Sequence, residues 1–322
     1  MSININSPLV AIAIPVYNGE KFIAEAVESI LKQTYTHWEC HIINNISTDR
    51  TEEIVRSYAD KDPRIRLHTY DIFFPIVDNW NRTVLHIPEN AMYFKILQAD
   101  DWIEERFLEE MIAVMEKHPS VGICSSYRID GTVVNCDGLD YYQGQFYNGT
   151  EMLIKHLKEK IDITGSISTL LFRVSSLKML PNFPEIFDTA DFHCDTQLAF
   201  DMMSISDVGF VFKVLSYTRW HPDAYTSSTC VIYQTFFNGR EIRLHKFKNI
   251  NTDIRKEYIH HRYHYAYFLF KRWLKGDTKC LQWHHKHITR KFTTSEYLKA
   301  FWYFNPLNYR LIRLLKKLKL SR

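Results

Sequence analysis

The chain has 322 residues, 46% of them hydrophobic and 24% charged, and a net charge of +3, which excludes a disordered polymer and allows a substantial buried core. Six cysteines are scattered without a C-x-x-C pair, a pattern that suits free thiols in a reducing compartment better than a disulfide framework or a zinc site. No stretch approaches the ~18 uncharged apolar residues of a membrane-spanning helix, and no basic segment precedes the first apolar run, so that run reads as a buried strand, not a signal peptide.

In chain order, Leu9 to Ile14 is the first short apolar run. After the turn at Asn18-Gly19, apolar residues recur at Phe22, Ile23, Ala26, Val27, Ile30 and Leu31, the rows of one helix face. Trp38 to Ile43 reads as a second strand, and Ser47-Thr48-Asp49 offers capping side chains before a helix over Glu52–Tyr58. Ile65–His68 and Met92–Leu97 read as further strands, with an amphipathic helix over Glu104–Lys117. Such βαβ alternation predicts a mostly parallel sheet covered by helices. Between 120 and 235 the pattern is mixed: strands at Val121–Ser125, Ile167–Arg173 and Val208–Val214, helices near Glu151–Lys160 and Asp195–Met203. From 236 onward the signals are helical. Two domains follow, an α/β one over 1–235 and a helical, basic and aromatic one over 236–322.

Ligands of open α/β sheets bind beyond the carboxyl ends of the strands, and three polar segments fall there. Ile14-Pro15-Val16-Tyr17-Asn18-Gly19-Glu20 places a ring and an amide where a base could stack and be hydrogen-bonded. Asn44-Asn45-Ile46-Ser47-Thr48-Asp49 follows the second strand. Gln98-Ala99-Asp100-Asp101-Trp102 sets two hard carboxylates at a strand end, suited to Mg²⁺ or Mn²⁺ and through it to a diphosphate. Each segment alone reads equally as a turn or a helix cap.

In this order the segments resemble the family-2 glycosyltransferases of the GT-A fold. The resemblance extends through Asn79-Trp80-Asn81-Arg82, Gly165-Ser166, Leu171-Phe172-Arg173, Cys194-Asp195-Thr196-Gln197-Leu198 and Tyr217-Thr218-Arg219-Trp220-His221-Pro222, covering residues 8 to 225. It implies that Pro15, Tyr17, Asn18 and Glu20 bind the nucleotide, that Asp100 holds the metal with Asp101 as its acidic neighbour, and that His221 lies near metal and diphosphate. It implies Asp195 as the general base, and Gly165, Ser166 and Trp220 around donor sugar and acceptor. The chain departs from the family's pattern at three places. Asn44-Asn45-Ile46-Ser47 stands where D-D-G-S is usual, so the Asn45 amide oxygen replaces a carboxylate that accepts from a pyrimidine N3–H. Gln98 stands for the first Asp of D-x-D, and Cys194 for the Glu before the base.

The implied activity is metal-dependent inverting transfer from a nucleoside-diphosphate sugar, UDP-linked, to a hydroxyl of a glycan or lipid-linked acceptor in surface polysaccharide synthesis. The alternative is a catalytically silent nucleotide-sugar-binding protein of the same fold. A nucleotidyltransferase lacks its basic Gly-rich loop here, and no G-x-x-x-x-G-K-[ST] is present. Bland roles remain beside the functional ones: Tyr17 as core, His221 as structural, Asp195 as a helix cap. His260, His261, His264, His284, His285 and His287 read as surface or interfacial residues.

Residues 1–235 carry 19 basic and 32 acidic side chains, net −13, whereas 236–322 carry 21 and 5, net +16. Leu311, Ile312, Leu314, Leu315 and Leu318 interleave with Arg310, Arg313, Lys316, Lys317 and Lys319 as in an interfacial amphipathic helix. An anionic membrane surface met through 301–322 is therefore expected, with no nucleic acid partner, and a cytoplasmic, peripheral location. A basic helix packed on the acidic domain or on a second subunit is the other reading.

Overall fold

The computed structural model describes residues 7–136, 139, 144–158, 161–187, 193–221, 229–288 and 290–304, with only the backbone for 229–236. The loop around Asp223–Thr229, which the sequence would set over a bound diphosphate, lies outside the described residues from 222 to 228, as does the basic segment after 304. The chain divides into two compact units, one holding the described residues up to 221 and the other those from 229 on.

The first unit is built on one sheet. Its strands are β1 (Leu9–Val16), β2 (Trp38–Asn44), β3 (Ile65–Thr69), β4 (Ala91–Ile96), β5 (Trp102–Ile103), β6 (Val121–Asp130), β7 (Val133–Asn135), β8 (Phe146–Tyr147), β9 (Leu171–Arg173) and β10 (Asp207–Thr218). The order is β3-β2-β1-β4-β9-β6-β10-β5, with β7 on β6 and β8 on β10. β3, β2, β1 and β4 run parallel, and so do β6 and β10. The short β9 joins these halves antiparallel to both neighbours. All eight residues of β1 are buried, as expected of a central parallel strand covered on both faces.

Helices α1 (Ile23–Leu31), α2 (Thr51–Ala59), α3 (Ile76–Val84), α4 (Phe107–Lys117), α5 (Gly149–Leu157), α6 (Val174–Leu177) and α7 (Cys194–Ile205) flank the sheet. α1 buries Ile23, Ala26, Val27 and Ile30 and α4 buries Phe107, Leu108, Met111, Ile112 and Met115. These i, i+3, i+4 stripes meet the sheet's apolar face in one core.

One segment differs from expectation. Ile167–Arg173 is not a continuous strand: Ile167–Thr169 is a 3-10 turn and only Leu171–Arg173 pairs. The Ser166 hydroxyl caps the turn by accepting from the Ser168 N–H at 3.1 Å. The buried Lys95 ammonium donates to the Leu170 carbonyl at 3.2 Å and also to that of Ser168, pulling those carbonyls off any strand ladder.

The second unit consists of α8 (Thr229–Phe247), α9 (Thr252–Leu274), α10 (Thr278–His287) and α11 (Thr294–Phe304). Its centre is the buried Arg262, which pairs with Glu241, lies 2.6 Å from Glu296 and covers the Phe292 ring at 4.1 Å. His261 and His284 are buried inside this unit, which corrects the expectation that they are surface or interfacial residues. His261 Nε2 sits 3.0 Å from the Phe237 carbonyl, and the His284 ring meets the Tyr265 hydroxyl. No described helix is long and apolar enough to cross a membrane.

Candidate active site

β1 and β2 are adjacent and parallel, with Val16 opposite Asn44, so the loops that follow them leave the sheet side by side. Side chains lace them together. The Asn18 amide oxygen accepts from the Thr48 N–H at 2.8 Å, and the Ser47 hydroxyl accepts from the Asn18 N–H at 2.9 Å. Glu20 accepts from the Arg50 N–H and Asp49 from the Glu20 N–H, both at 3.0 Å. Asn18 and Glu20 thus spend their polar groups on this seam, and Asn18 adopts the left-handed φ of 51° that Asn tolerates. Pro15 lies within β1, opposite Ile43.

Tyr17 is half exposed at the mouth of the seam. Its ring meets that of the exposed Phe73 edge to face, with centroids 5.0 Å apart. Asn45 lies beneath, buried, with both ends of its amide engaged by one residue. Its Nδ2 donates to the Phe74 carbonyl at 2.8 Å, and its Oδ1 accepts from the Phe74 N–H at 2.9 Å. An aspartate could not make the first of these bonds while ionised.

The acidic pair follows β4. β5 runs antiparallel to the end of β10, with Trp102 opposite Tyr217, and this delivers Arg219 and His221 to the two carboxylates. Asp100 Oδ2 lies 3.0 Å from His221 Nε2. Asp101 is buried and accepts from the Arg219 N–H at 3.2 Å through Oδ1. Burial, reinforced by the charge of Asp100, pushes the Asp101 carboxyl up to about 7. The Arg219 guanidinium donates to the Asp100 carbonyl at 3.3 Å, pairs with Glu25, and lies between the Phe22 and Trp102 rings at 4.9 and 4.8 Å.

The 3-10 turn is anchored to the same place, because the Ser168 hydroxyl accepts from the Gln98 N–H at 3.1 Å. Just before it, Gly165 has φ +57°, and a Cβ there would come within 2.6 Å of Cys136 Sγ, so only glycine fits. Trp220 is largely exposed. Its indole N–H donates to Asp130, and its ring lies over Gly131, where a Cβ would stand 3.3 Å from it. Asp195 occupies the first turn of α7, with Oδ1 accepting from the Thr196 N–H at 2.7 Å.

Geometry therefore assembles the expected residues in groups: Tyr17, Asn18, Glu20 and Asn45 at the seam; Asp100, Asp101 and His221 at the strand end; Gly165 and Ser166 on the turn tied to that end. Trp220 stands against β6, and Asp195 opens α7. Sequence reasoning assigned no role to Arg219, Phe73, Lys95 or Ser168. Lys95 had a signal, a lone cation inside an apolar strand.

The Asp100–His221 pair suits a hard divalent ion. Cis positions of an octahedron with bonds of 2.0–2.1 Å lie about 3 Å apart, the separation these two ligand atoms already have.

The model of glycosyl transferase family 2 matches residues 11–178. The chain belongs to that family. An uncharacterized glycosyltransferase of Rickettsia typhi is 30% identical over 244 residues, covering 72% of this chain and 70% of that protein. Glycosyltransferase GlyG of Streptococcus pneumoniae is 26% identical over 189 residues, covering 58% and 60%. Among solved structures, Staphylococcus aureus TarS 1–349 in complex with UDP superposes with a TM-score of 0.53 at 16% identity, over 74% of this chain and 65% of that one. The mannosyltransferase PcManGT of Pyrobaculum calidifontis, in complex with GDP-Man and Mn²⁺, gives 0.55 at 17%, over 75% and 65%. The match thus spans just under two thirds of each solved chain and of GlyG. The fold is that of GT-A glycosyltransferases, a mostly parallel sheet flanked by helices and followed by a helical C-terminal region.

Proposed function

We propose that this chain is an inverting, metal-dependent glycosyltransferase that moves a sugar from a nucleoside diphosphate, UDP by preference, to a hydroxyl of a glycan or lipid-linked acceptor in surface polysaccharide synthesis. The observation that carries this reading is the Asp100–His221 pair, at the spacing of two cis metal ligands, beside the laced loops after β1 and β2. UDP and UDP-GlcNAc in TarS, and GDP-Man with Mn²⁺ in PcManGT, agree with a nucleotide-sugar donor and a divalent ion.

In this reading the base stacks on the exposed Tyr17 ring, which the Phe73 ring props edge-on. Asn45 acts on it through Phe74: by clamping that backbone it holds the neighbouring Phe73 ring against Tyr17. Asp100 and His221 hold Mn²⁺ or Mg²⁺, which when bound neutralises charge developing on the departing diphosphate. Arg219, anchored by Glu25 and two rings, keeps the Asp100 backbone in place. Asp195 removes the proton of the acceptor hydroxyl, whose oxygen attacks the anomeric carbon as the bond to the diphosphate breaks. A positioned base contributes typically ~10²–10⁴-fold, and a single in-line displacement inverts the anomeric configuration. Gly165 and Ser166 stand beside the donor sugar, with Trp220 at the acceptor side.

Donor binding and turnover, measured together, test the reading. Nucleoside diphosphates titrated calorimetrically with Mn²⁺ should give binding of one nucleotide that EDTA and Asp100→Ala abolish. Asp195→Asn should bind that nucleotide normally and lose turnover by about 10²-fold or more. Binding without turnover in the wild type would favour the silent binding protein. Normal turnover in Asp195→Asn would remove the base assignment.

A further inference from the structure

We propose that His41, His68 and His86 form a binding site for Zn²⁺, sharing no residue with the Asp100–His221 pair. The three side chains come from β2, from β3 and from the turn after α3, and one ligand atom of each lies within 4.8 Å of the others. His41 Nδ1 and His68 Nε2 are only 3.0 Å apart. Two nitrogens bound tetrahedrally to zinc at 2.0–2.1 Å are separated by about 3.4 Å, so these two need almost no movement. The third ring already touches them: His68 and His86 have centroids 3.9 Å apart. Closing the triad from a spread of at most 4.8 Å to about 3.4 Å takes side-chain movements of up to about 1.4 Å.

Stacking accounts for the ring contacts but not for what lies behind them. His41 Nε2 is buried without a hydrogen-bond partner among the described residues and faces the Glu39 carboxylate at 3.7 Å. A carboxylate behind one nitrogen of a histidine is the outer arrangement that orients metal-bound imidazole. Tyr70 plays a similar part at His86, its hydroxyl lying 2.7 Å from Nε2.

Charge is compatible with a cation. Burial pushes His41 and His86 down to about 4 and lowers His68 as well, so all three rings keep the neutral form that ligates. Arg66 is the nearby positive charge most directly opposed to an ion, and Glu39 answers it at 3.1 Å. Arg82 lies over the Tyr70 and Phe74 rings. Three imidazole donors select zinc and its late first-row neighbours over Mg²⁺, which distinguishes this site from the Asp100–His221 pair with its carboxylate oxygen. Three protein ligands leave the fourth position to water. Bound there, the ion would tie β2 and β3 to the end of α3, the elements whose loops carry Asn45 and Phe73–Phe74. Its role is to stiffen the seam, whatever reaction the chain performs.

The test uses the full chain without a histidine tag, stripped of metal. Zn²⁺ alone is titrated by calorimetry and Co²⁺ alone by visible absorption. One equivalent of Zn²⁺ should bind, and Co²⁺ should give the intense d–d bands of a tetrahedral site. Both should weaken by about tenfold or more in His68→Gln/His86→Gln and remain in Asp100→Ala. His86→Gln alone, at a partly buried position in a turn, gives the same comparison if the double variant fails to fold. No stoichiometric Zn²⁺ binding would overturn the proposal, as would binding undiminished in the histidine variants, which would put the ion on the histidines of the helical unit.

Discussion

Asn45 turns the backbone of Phe74 into a pseudo-strand partner, and Asn81 repeats the device on Phe187, donating at 3.0 Å and accepting at 2.9 Å. At both places an amide is needed because one partner is a donor and the other an acceptor. Asn45→Asp, which would restore the residue usual in the family, should therefore destabilise the chain. The new carboxylate oxygen would face the Phe74 carbonyl inside a buried site, and an unsatisfied carbonyl plus a buried charge cost about 1–3 kcal/mol or more. Urea unfolding should show a lower midpoint with the same m-value, the loss shrinking in acid, where the protonated carboxyl can donate. An unchanged midpoint at neutral pH would mean that the clamp contributes nothing. The sequence exposed the departure from D-D-G-S but not its reason, since Phe74 lies 29 residues away. Distance in sequence hid the three histidines in the same way: His41, His68 and His86 meet only when β3 pairs with β2.

Helices α1 and α4 were legible from periodicity because each presents a single apolar stripe to the sheet. The 3-10 turn at Ile167–Thr169 was not, since its alternating residues mimic a strand and the cation that reshapes it, Lys95, sits on β4. The helices of the second unit read as helical from the sequence, but without a single apolar stripe. α9 buries Tyr258, His261, Arg262 and Tyr265 in two turns, so its inner face is polar by composition. That face makes the unit sensitive to acid. Glu296 is held down at about 2 against the burial that opposes it, because Arg262 and the Thr293 N–H bind the charged form. A depressed carboxyl contributes stability above its unfolded value near 4.5, lost as pH falls through about 2. Glu241 acts in the opposite sense: burial raises it, so its share is present in acid and fades as pH rises past the usual carboxylate range. Glu296→Gln should thus cost on the order of 2 kcal/mol at pH 7 and flatten the fall in stability between about pH 4.5 and 2. Thermal melts across that range check this, and equal slopes in both proteins would remove Glu296 from the account.

At the scale of the whole chain, composition already separated an acidic region of net −13 from a basic one of net +16, and the βαβ alternation of the first unit predicted its mostly parallel sheet, though not the order of the strands. Composition names a class of partner, an anionic one, but not the surface that meets it. Exposed aromatics on α11, Phe301, Trp302 and Tyr303, favour a lipid headgroup layer, where rings with one polar edge settle. Each basic residue near anionic lipid adds about 1 kcal/mol, so a few of the 21 in residues 236–322 suffice for reversible docking. The chain should therefore co-sediment with phosphatidylglycerol vesicles at about 0.1 M salt, where the Debye length is near 10 Å, and be released toward 1 M, where it is near 3 Å. Phosphatidylcholine vesicles should leave it in solution. Replacing Phe301 and Trp302 by serine should weaken binding to the anionic vesicles at constant charge, which separates ring insertion from attraction alone. If the chain ignores both vesicles, the basic region has another partner, and a lipid-linked acceptor must be brought to the site by something else.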